Sequence, residues 1–579
     1  MKIRELKLLI LVGGEYDEGM VRKIFERLAA PVRGLHQAAY LLAVLTLASQ
    51  ALALLRDRTF AHTFGAGQTL DLYYAAFRVP DLVFALVSSL VSAYVIIPRI
   101  TGMDREKTRQ LLSESASFLF IGGGIICIVL AFFMPQFLAL LYPSLISSPQ
   151  QDAFILLARI LLLQPILLGL SGVFASVTQV HRRFTLFALS PVLYNVGIII
   201  GTVVLYPLWG LPGIGVGVIL GAIAYLAVNI PVMIEAGVFP RFCFPTYALM
   251  RGIVQDSVPR SLALGMGSVT ALILTALASR VGTGAISVFT FASNLEAVPL
   301  SLIGASYAVA AFPALSESSS LERRGEFTRI LSASTRHIIL WSTVSLGLIV
   351  VLRAHLVRVI LGTGAFDWNA TRLTAALLVI LTVGLVAQGL ILLFSRALYA
   401  VHQSWRPLLY QFAGGALTVV LALFFIALPA QGLSSTLAAF LKVADVPGTS
   451  ILVIALAATL GQIFLAVLSL LALRSVSPEL ARTLSRPVLD GSIAALVGGT
   501  AAHIVLVLEG GILPLTTLVS VFTQGFIAGI VGLIASAAAL FFTENEEFRI
   551  VMHALSKLLR TPGSQTAILE PSAEEPIQP

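Results

Sequence analysis

Runs of about twenty apolar residues, the length that crosses a bilayer, recur along this chain almost from end to end. Inside hydrocarbon no water is available to satisfy a backbone N–H or C=O, so a spanning chain must be helical or close into a barrel. The runs are too long for barrel strands, and the prediction is an all-α integral membrane protein. Composition agrees: 58% of the residues are hydrophobic and only 11% charged, against about 25% charged in soluble domains. A water-soluble globule of 579 residues has nowhere to put that much apolar surface.

Read as spans, the runs place about fourteen transmembrane helices. They fall near 36–55, 70–98, 111–135, 151–179, 184–206, 211–234, 254–279 and 284–312, then 335–352, 371–400, 406–428, 448–473, 487–508 and 516–542. The first run begins too far in, and lacks the small-residue site, for a cleaved signal peptide. With the N-terminus in the cytoplasm, the basic residues collect on the inner connections. Only Arg56, Arg58, Arg280, Arg353, Arg358, Arg372 and Lys442 fall on the outer side, and Arg78 and Arg159 lie inside spans. This positive-inside bias predicts an even number of spans with both ends cytoplasmic.

Residues 1–35 form a cytoplasmic extension whose apolar spacing suits a helix on the inner leaflet or a docking element. The tail, 543–579, becomes rich in Pro, Ser and Glu after Thr561 and is expected to be disordered there. Between them the pattern repeats. The second and eighth spans each carry an internal proline (Pro80, Pro299), end at another (Pro98, Pro313) and run into a basic loop. A short amphipathic stretch joins the third span to the fourth (134–145) and the ninth to the tenth (353–364). Residues 36–234 and 254–473 therefore read as two copies of a six-helix lobe. Such pairs commonly enclose a central cavity and rock about it. The spans within 487–542 are two additional C-terminal helices. Gly-rich stretches such as 213–222 are read as close helix packing.

Ionisable side chains inside a membrane are expensive and usually face a cavity. The first outer connection holds Arg56, Asp57, Arg58, His62 and Asp71, and the second span adds Arg78 and Asp81 around Pro80. This set suits either a cationic site for an anionic headgroup, with carboxylates positioning the arginines, or an interfacial salt-bridge network. Further cavity candidates are Arg159, Arg280, Asn294 and Glu296, with Glu296 a candidate for ion or proton coupling or for a structural pair. Asp256 and Gln388 are isolated polar residues that could serve a cation site. No phosphate-binding loop or catalytic constellation is present, and the 8 histidines have no metal-ligand spacing. Cys127 and Cys243 lie far apart in or beside apolar segments and read as inert thiols. The expectation is a transporter, with no catalytic residue, metal or cofactor, and compatible with coupling to an ion or to the membrane potential.

Three segments carry a resemblance. The first contains Arg56-Asp57, Phe64-Gly65-Ala66-Gly67, Asp71 and Phe77-Arg78-Val79-Pro80-Asp81-Leu82. The second runs from Arg183-Phe184 through Ala188 and Pro191 to Asn195, and the third is Gly362-Thr363-Gly364-Ala365-Phe366-Asp367 with Ser395-Arg396 downstream. Together they resemble the MurJ/MviN family of lipid II flippases, within the multidrug/oligosaccharidyl-lipid/polysaccharide exporter superfamily, over about residues 36–475. The resemblance implies alternating-access export of a lipid-linked peptidoglycan precursor in the bacterial cytoplasmic membrane. It implies substrate contacts at Arg56, Asp57, Asp71 and Arg78. Expected partners are the lipid-linked oligosaccharide, membrane lipids and cell-wall synthesis proteins, with no nucleic acid and a monomeric state.

The chain also departs from the family pattern. Gln50 stands where the family has a cavity arginine, Phe84 opens the stretch where it has an Arg-Arg pair, and Ser293-Asn294 replaces an Asp-Arg pair. Fewer cations weaken the grip on a diphosphate. That leaves open export of another polyprenyl-linked glycolipid or an amphipathic drug or cation, or a non-transporting scaffold role in cell-wall assembly.

Overall fold

The computed structural model describes residues 35–429, 432–510 and 517–560. Among them the chain is helical, with no strand. The helices are α1 (Leu35–Phe64), α2 (Gln68–Ile100), α3 (Arg105–Leu141), α4 (Gln151–Val180), α5 (Phe184–Trp209), α6 (Leu211–Ala236) and α7 (Tyr247–Ala278). Next come α8 (Ala285–Glu317), α9 (Arg324–Leu361), α10 (Trp368–Val383 and Leu385–Ala400), α11 (Trp405–Ala427), α12 (Ile451–Leu473), α13 (Ser485–Gly510), α14 (Leu518–Phe542) and α15 (Glu546–Arg560). Twelve helices of α2–α14 are long and apolar enough to span a membrane, and α10 makes thirteen when its two halves count as one span. The remaining expected span lies on α1, which has 30 residues. The expected extension at 1–34 and the end of the tail, 561–579, lie outside the described residues.

Several spans are not continuous α-helices. In α2 a tight 3₁₀ turn at Ser88–Val91 follows Pro80 by two turns of helix. In α8 a π-helical stretch, Leu300–Ala305, begins right after Pro299. Both proline-marked spans are thus irregular near mid-length, on the C-terminal side of the proline. The span expected at 371–400 is bent by 44°. The break falls at Gly384, a residue with little tendency to continue a helix.

The chain divides into two compact units. The first comprises the chain up to Arg56, Val79–Gln136 and Asp152–Ser261. Its core joins Val91, Ile96, Leu112, Phe174, Leu186 and Met233. Helices α5 and α6 cross there on glycines: a Cβ added at Gly217 would overlap the Gly201 backbone, and one at Gly197 would overlap Gly221. Lipid tails are as apolar as leucine, so such close backbone packing is a main source of helix association in a membrane. Beside this crossing Asn229 is fully enclosed. It accepts from the Thr178 hydroxyl at 2.9 Å and donates to the Tyr225 carbonyl at 3.0 Å.

The second unit comprises Asp57–Arg78, Phe137–Gln151 and the chain from Leu262 onward. One core gathers residues of α8, α9, α10 and α12 around Phe327, Leu393 and Phe394. Helices α13 and α14 pack on α9, where Gly347 has no room for a Cβ beside Ala495 and Gly532 none beside Leu348. The tail begins as helix α15, held by the Asn545–Asp490 hydrogen bond (2.8 Å) and the Arg336–Glu547 ion pair (2.8 Å).

The crossing of α5 and α6 predicts an asymmetry between glycines. Gly217→Ala forces the Gly201 backbone apart and is expected to cost about 1–3 kcal/mol. Gly172→Ala, with nothing within 4 Å of its added Cβ, is expected to leave the melting temperature unchanged or raise it. Thermal unfolding of both variants in detergent checks the pair.

Candidate functional site

The polar residues of the first outer connection fold into the second unit from Asp57 onward. Three turns meet there. They are the α1–α2 turn with Gly65, the α7–α8 turn with Gly284 and the α9–α10 turn with Gly364. Each of these glycines has a positive φ, of 60°, 84° and 57° respectively. A Cβ at Gly65 would strike the Ala365 carbonyl, one at Gly284 the Ala66 carbonyl and one at Gly364 the His62 carbonyl. Only glycine meets both demands, a left-handed backbone and a neighbouring turn within backbone contact. The Ala365 N–H donates to the His62 carbonyl at 3.0 Å, and the His62 ring bonds the Thr363 hydroxyl at 3.0 Å. Below the turns an aromatic chain runs Tyr73, Phe60, Tyr74, Phe291, Phe366, each ring packed edge-on or nearly so to the next. The first and third resemblance segments, 301 residues apart at His62 and Thr363, are therefore one structural element.

The charged residues each have a definite task around this knot. Arg58 donates to the Val359 and Ile360 carbonyls, the last turn of α9, where orphan acceptors and the negative end of the helix dipole attract a cation. Asp71 is buried. It accepts from the Gly284 N–H (2.6 Å), the Ser287 N–H (2.8 Å) and the Ser287 hydroxyl (2.6 Å). It thereby caps the N-terminus of α8 from another helix, and none of these bonds goes to an arginine. Asp57, also buried, accepts from the Asn294 side chain at 2.9 Å. Glu296 accepts from the Gln388 side chain of α10 at 2.7 Å. Arg78 is half-buried, and its Nε is enclosed without a hydrogen bond. Among the described residues no carboxylate pairs with it.

Arg56 belongs to the first unit, where it donates to the Asn195 side-chain oxygen at 3.1 Å. Asn195 is fixed in turn by its own donor on the Pro191 carbonyl, at 3.0 Å. The second resemblance segment thus supplies the partner of the first. Asp81 is half-buried on α2 in the same unit. Arg159 is exposed and reaches the Ala131 carbonyl of α3 at 2.9 Å. Arg280 is exposed just past the end of α7. The Asp256 side chain lies outside the described residues.

Sequence reasoning missed Glu114. It is buried in the first unit and accepts from Gln110 (2.9 Å), the Thr246 N–H (2.9 Å) and the Thr246 hydroxyl (3.1 Å). Its signal was available as a single acid in a Leu- and Ser-rich stretch. Its partner, 132 residues away, was not. Among the described residues no group of three or more His, Cys, Asp or Glu side chains is placed to hold a metal.

Comparison with known proteins places this geometry. Residues 60–476 match the family described as lipid II flippase MurJ. The lipid II flippase MurJ of Burkholderia cenocepacia is 24% identical over 374 residues, which cover 62% of this chain and 72% of the relative. The probable lipid II flippase MurJ of Thermotoga maritima is 26% identical over 369 residues, covering 62% and 73%. Among solved structures, a lipid II flippase MurJ in an inward closed conformation superposes with a TM-score of 0.69 at 20% identity, over 87% of this chain and 100% of that one. An inward-facing multidrug resistance transporter of the MATE family superposes at 0.61 with 16% identity, over 75% and 96%. The fold is shared with both, but the family match runs from the end of α1 to just beyond α12 and takes in the second and third resemblance segments and the first from Phe64 onward, so the chain belongs to the lipid II flippase MurJ family.

Proposed function

We propose that this chain translocates lipid II, the lipid-linked peptidoglycan precursor, from the inner to the outer leaflet by alternating access. Family membership supports the cargo. Arg78 carries the site: a guanidinium within a membrane span, with no carboxylate beside it among the described residues, has the chemistry to receive an anion. An uncompensated cation in apolar surroundings is costly, and a bound diphosphate would neutralise it through charge-assisted hydrogen bonds. In the first unit Arg56, oriented by Asn195, is the contact that the resemblance implies. Asp57 and Asp71 serve as framework, since their oxygens engage Asn294 and the start of α8.

With Gln50, Phe84 and Asn294 at three positions where the family carries cations, the grip rests on fewer arginines. Each lost contact should therefore weigh heavily. The protein is a multi-pass protein of the bacterial inner membrane, and the basic bias of its connections supports both termini on the cytoplasmic side. Transport needs no cofactor in this reading, only an ion gradient or the membrane potential.

Complementation tests the cargo. In a bacterium depleted of its own flippase, the parent chain is expected to restore growth and both Arg56→Ala and Arg78→Ala to fail, at equal membrane levels. No rescue by a well-expressed parent overturns lipid II export. Rescue that survives both substitutions keeps the cargo and overturns the site. In vitro, Arg78→Ala is expected to weaken lipid II binding about 10- to 100-fold, the loss of one charged hydrogen bond.

Stability separates framework from site. Asp71→Ala uncaps α8 and is expected to cost about 1–2 kcal/mol. Arg78→Ala removes an unpaired cation and is expected to leave the melting temperature unchanged or raised. Thermal unfolding in detergent, without lipid II, reads both.

A further inference from the structure

Glu296 differs from the other buried acids near it. Asp71 has three donors and Asp57 is engaged by Asn294, but Glu296, 5% exposed, has one hydrogen-bond partner, the Gln388 carboxamide. No basic group joins it. The helices packed on α8 in the second unit bring Arg372 and Arg396 from α10 and Arg329, Arg336 and His337 from α9, where Arg336 pairs with Glu547 and the His337 ring stacks on Tyr307; the start of α2 brings Asp71, and α12 brings no charge. Arg372 is committed to Asp445 (2.6 Å), and Arg396 to the Leu392 carbonyl (3.4 Å). Asp57, one residue removed through Asn294, is a like charge. A carboxylate in apolar surroundings with no counter-charge is held far more easily as the neutral acid.

The partner makes both forms tenable. Ionised, Glu296 accepts from Gln388 Nε2, as the 2.7 Å contact is drawn. Protonated, the acid can donate its O–H to Gln388 Oε1 once the amide turns over, since a carboxamide presents a donor on one side and an acceptor on the other. One proton is gained, the hydrogen bond reverses direction, and no covalent bond other than the new O–H forms.

The position gives that proton a mechanical consequence. Glu296 lies just before Pro299 and the π-helical Leu300–Ala305. Gln388 lies one turn beyond Gly384, where α10 bends by 44°. One residue further, Gly389 meets Gly304 with no room for a side chain between them. The Glu296–Gln388 bond therefore ties the two irregular spans of the second unit together at the place where each departs from regular helix.

We propose that Glu296 is a proton-binding site, and that its occupancy sets the strength of the tie between the breaks in α8 and α10. The inference supplies an ion-coupling site to the transport reading but does not depend on lipid II being the cargo. It is tested on the purified full chain in liposomes, without lipid II, by infrared difference spectroscopy between about pH 5 and pH 9. The parent is expected to show a carboxylic-acid C=O band that disappears as pH rises. Glu296→Gln, which keeps the shape and removes the titration, should lack it, and Gln388→Ala should retain it at a shifted frequency because the hydrogen bond is gone. If Glu296→Gln does not fold, the shift in Gln388→Ala decides alone. A parent without the band, a band kept in Glu296→Gln, or a band unmoved in Gln388→Ala overturns the proposal, whatever the complementation result.

Discussion

Hydrocarbon offers no hydrogen bonds, and every polar group in the spans must find its partner in the protein. That constraint makes the chain helical and then governs the ends of the helices, where donors and acceptors are left over. Asp71 supplies the missing acceptor for the start of α8, and Arg58 supplies donors for the end of α9. Both flank the α1–α2 turn, Arg58 near the end of α1 and Asp71 in the first turn of α2. A segment that hydropathy treats as a loop is in effect the terminal cap of two other spans.

The glycines answer a second consequence of the same solvent. Where apolar burial gives no advantage over lipid, helices hold together by close approach and by a few internal polar bonds. The α5–α6 crossing in the first unit and the packing of α13 and α14 on α9 in the second both rest on residues without side chains. The three-turn knot extends this to connections, with each glycine receiving the carbonyl of another turn. Among the described residues Arg78 pairs with no carboxylate and Glu296 has one neutral partner, and these are the two residues proposed to meet a diphosphate and a proton.

Much of this was legible in the sequence. The span positions followed from hydropathy, and the paired prolines marked two of the spans that break. The clustering of Arg56, Asp57, Asp71 and Arg78 was visible as charge out of place, and the glycine-rich run at 213–222 as close helix packing. The pairings were not. Arg56 finds Asn195 across 139 residues, and Asp57 finds Asn294 across 237. Asp71 was expected to orient an arginine because opposite charges in one segment suggest each other. It caps a distant helix instead, because three aligned donors there outweigh a single cation elsewhere.

By itself, the sequence determined that the chain lies in a membrane, that it is helical and roughly where each span begins. These are properties of local hydrophobicity and length, which act along the chain. Only the tertiary structure decided what each buried polar residue does. Whether a carboxylate is a cap, a framework bond or a proton site depends on which donor lies within about 3 Å of it, and in a fold whose helices cross hundreds of residues apart, that neighbour is set by packing and not by sequence distance.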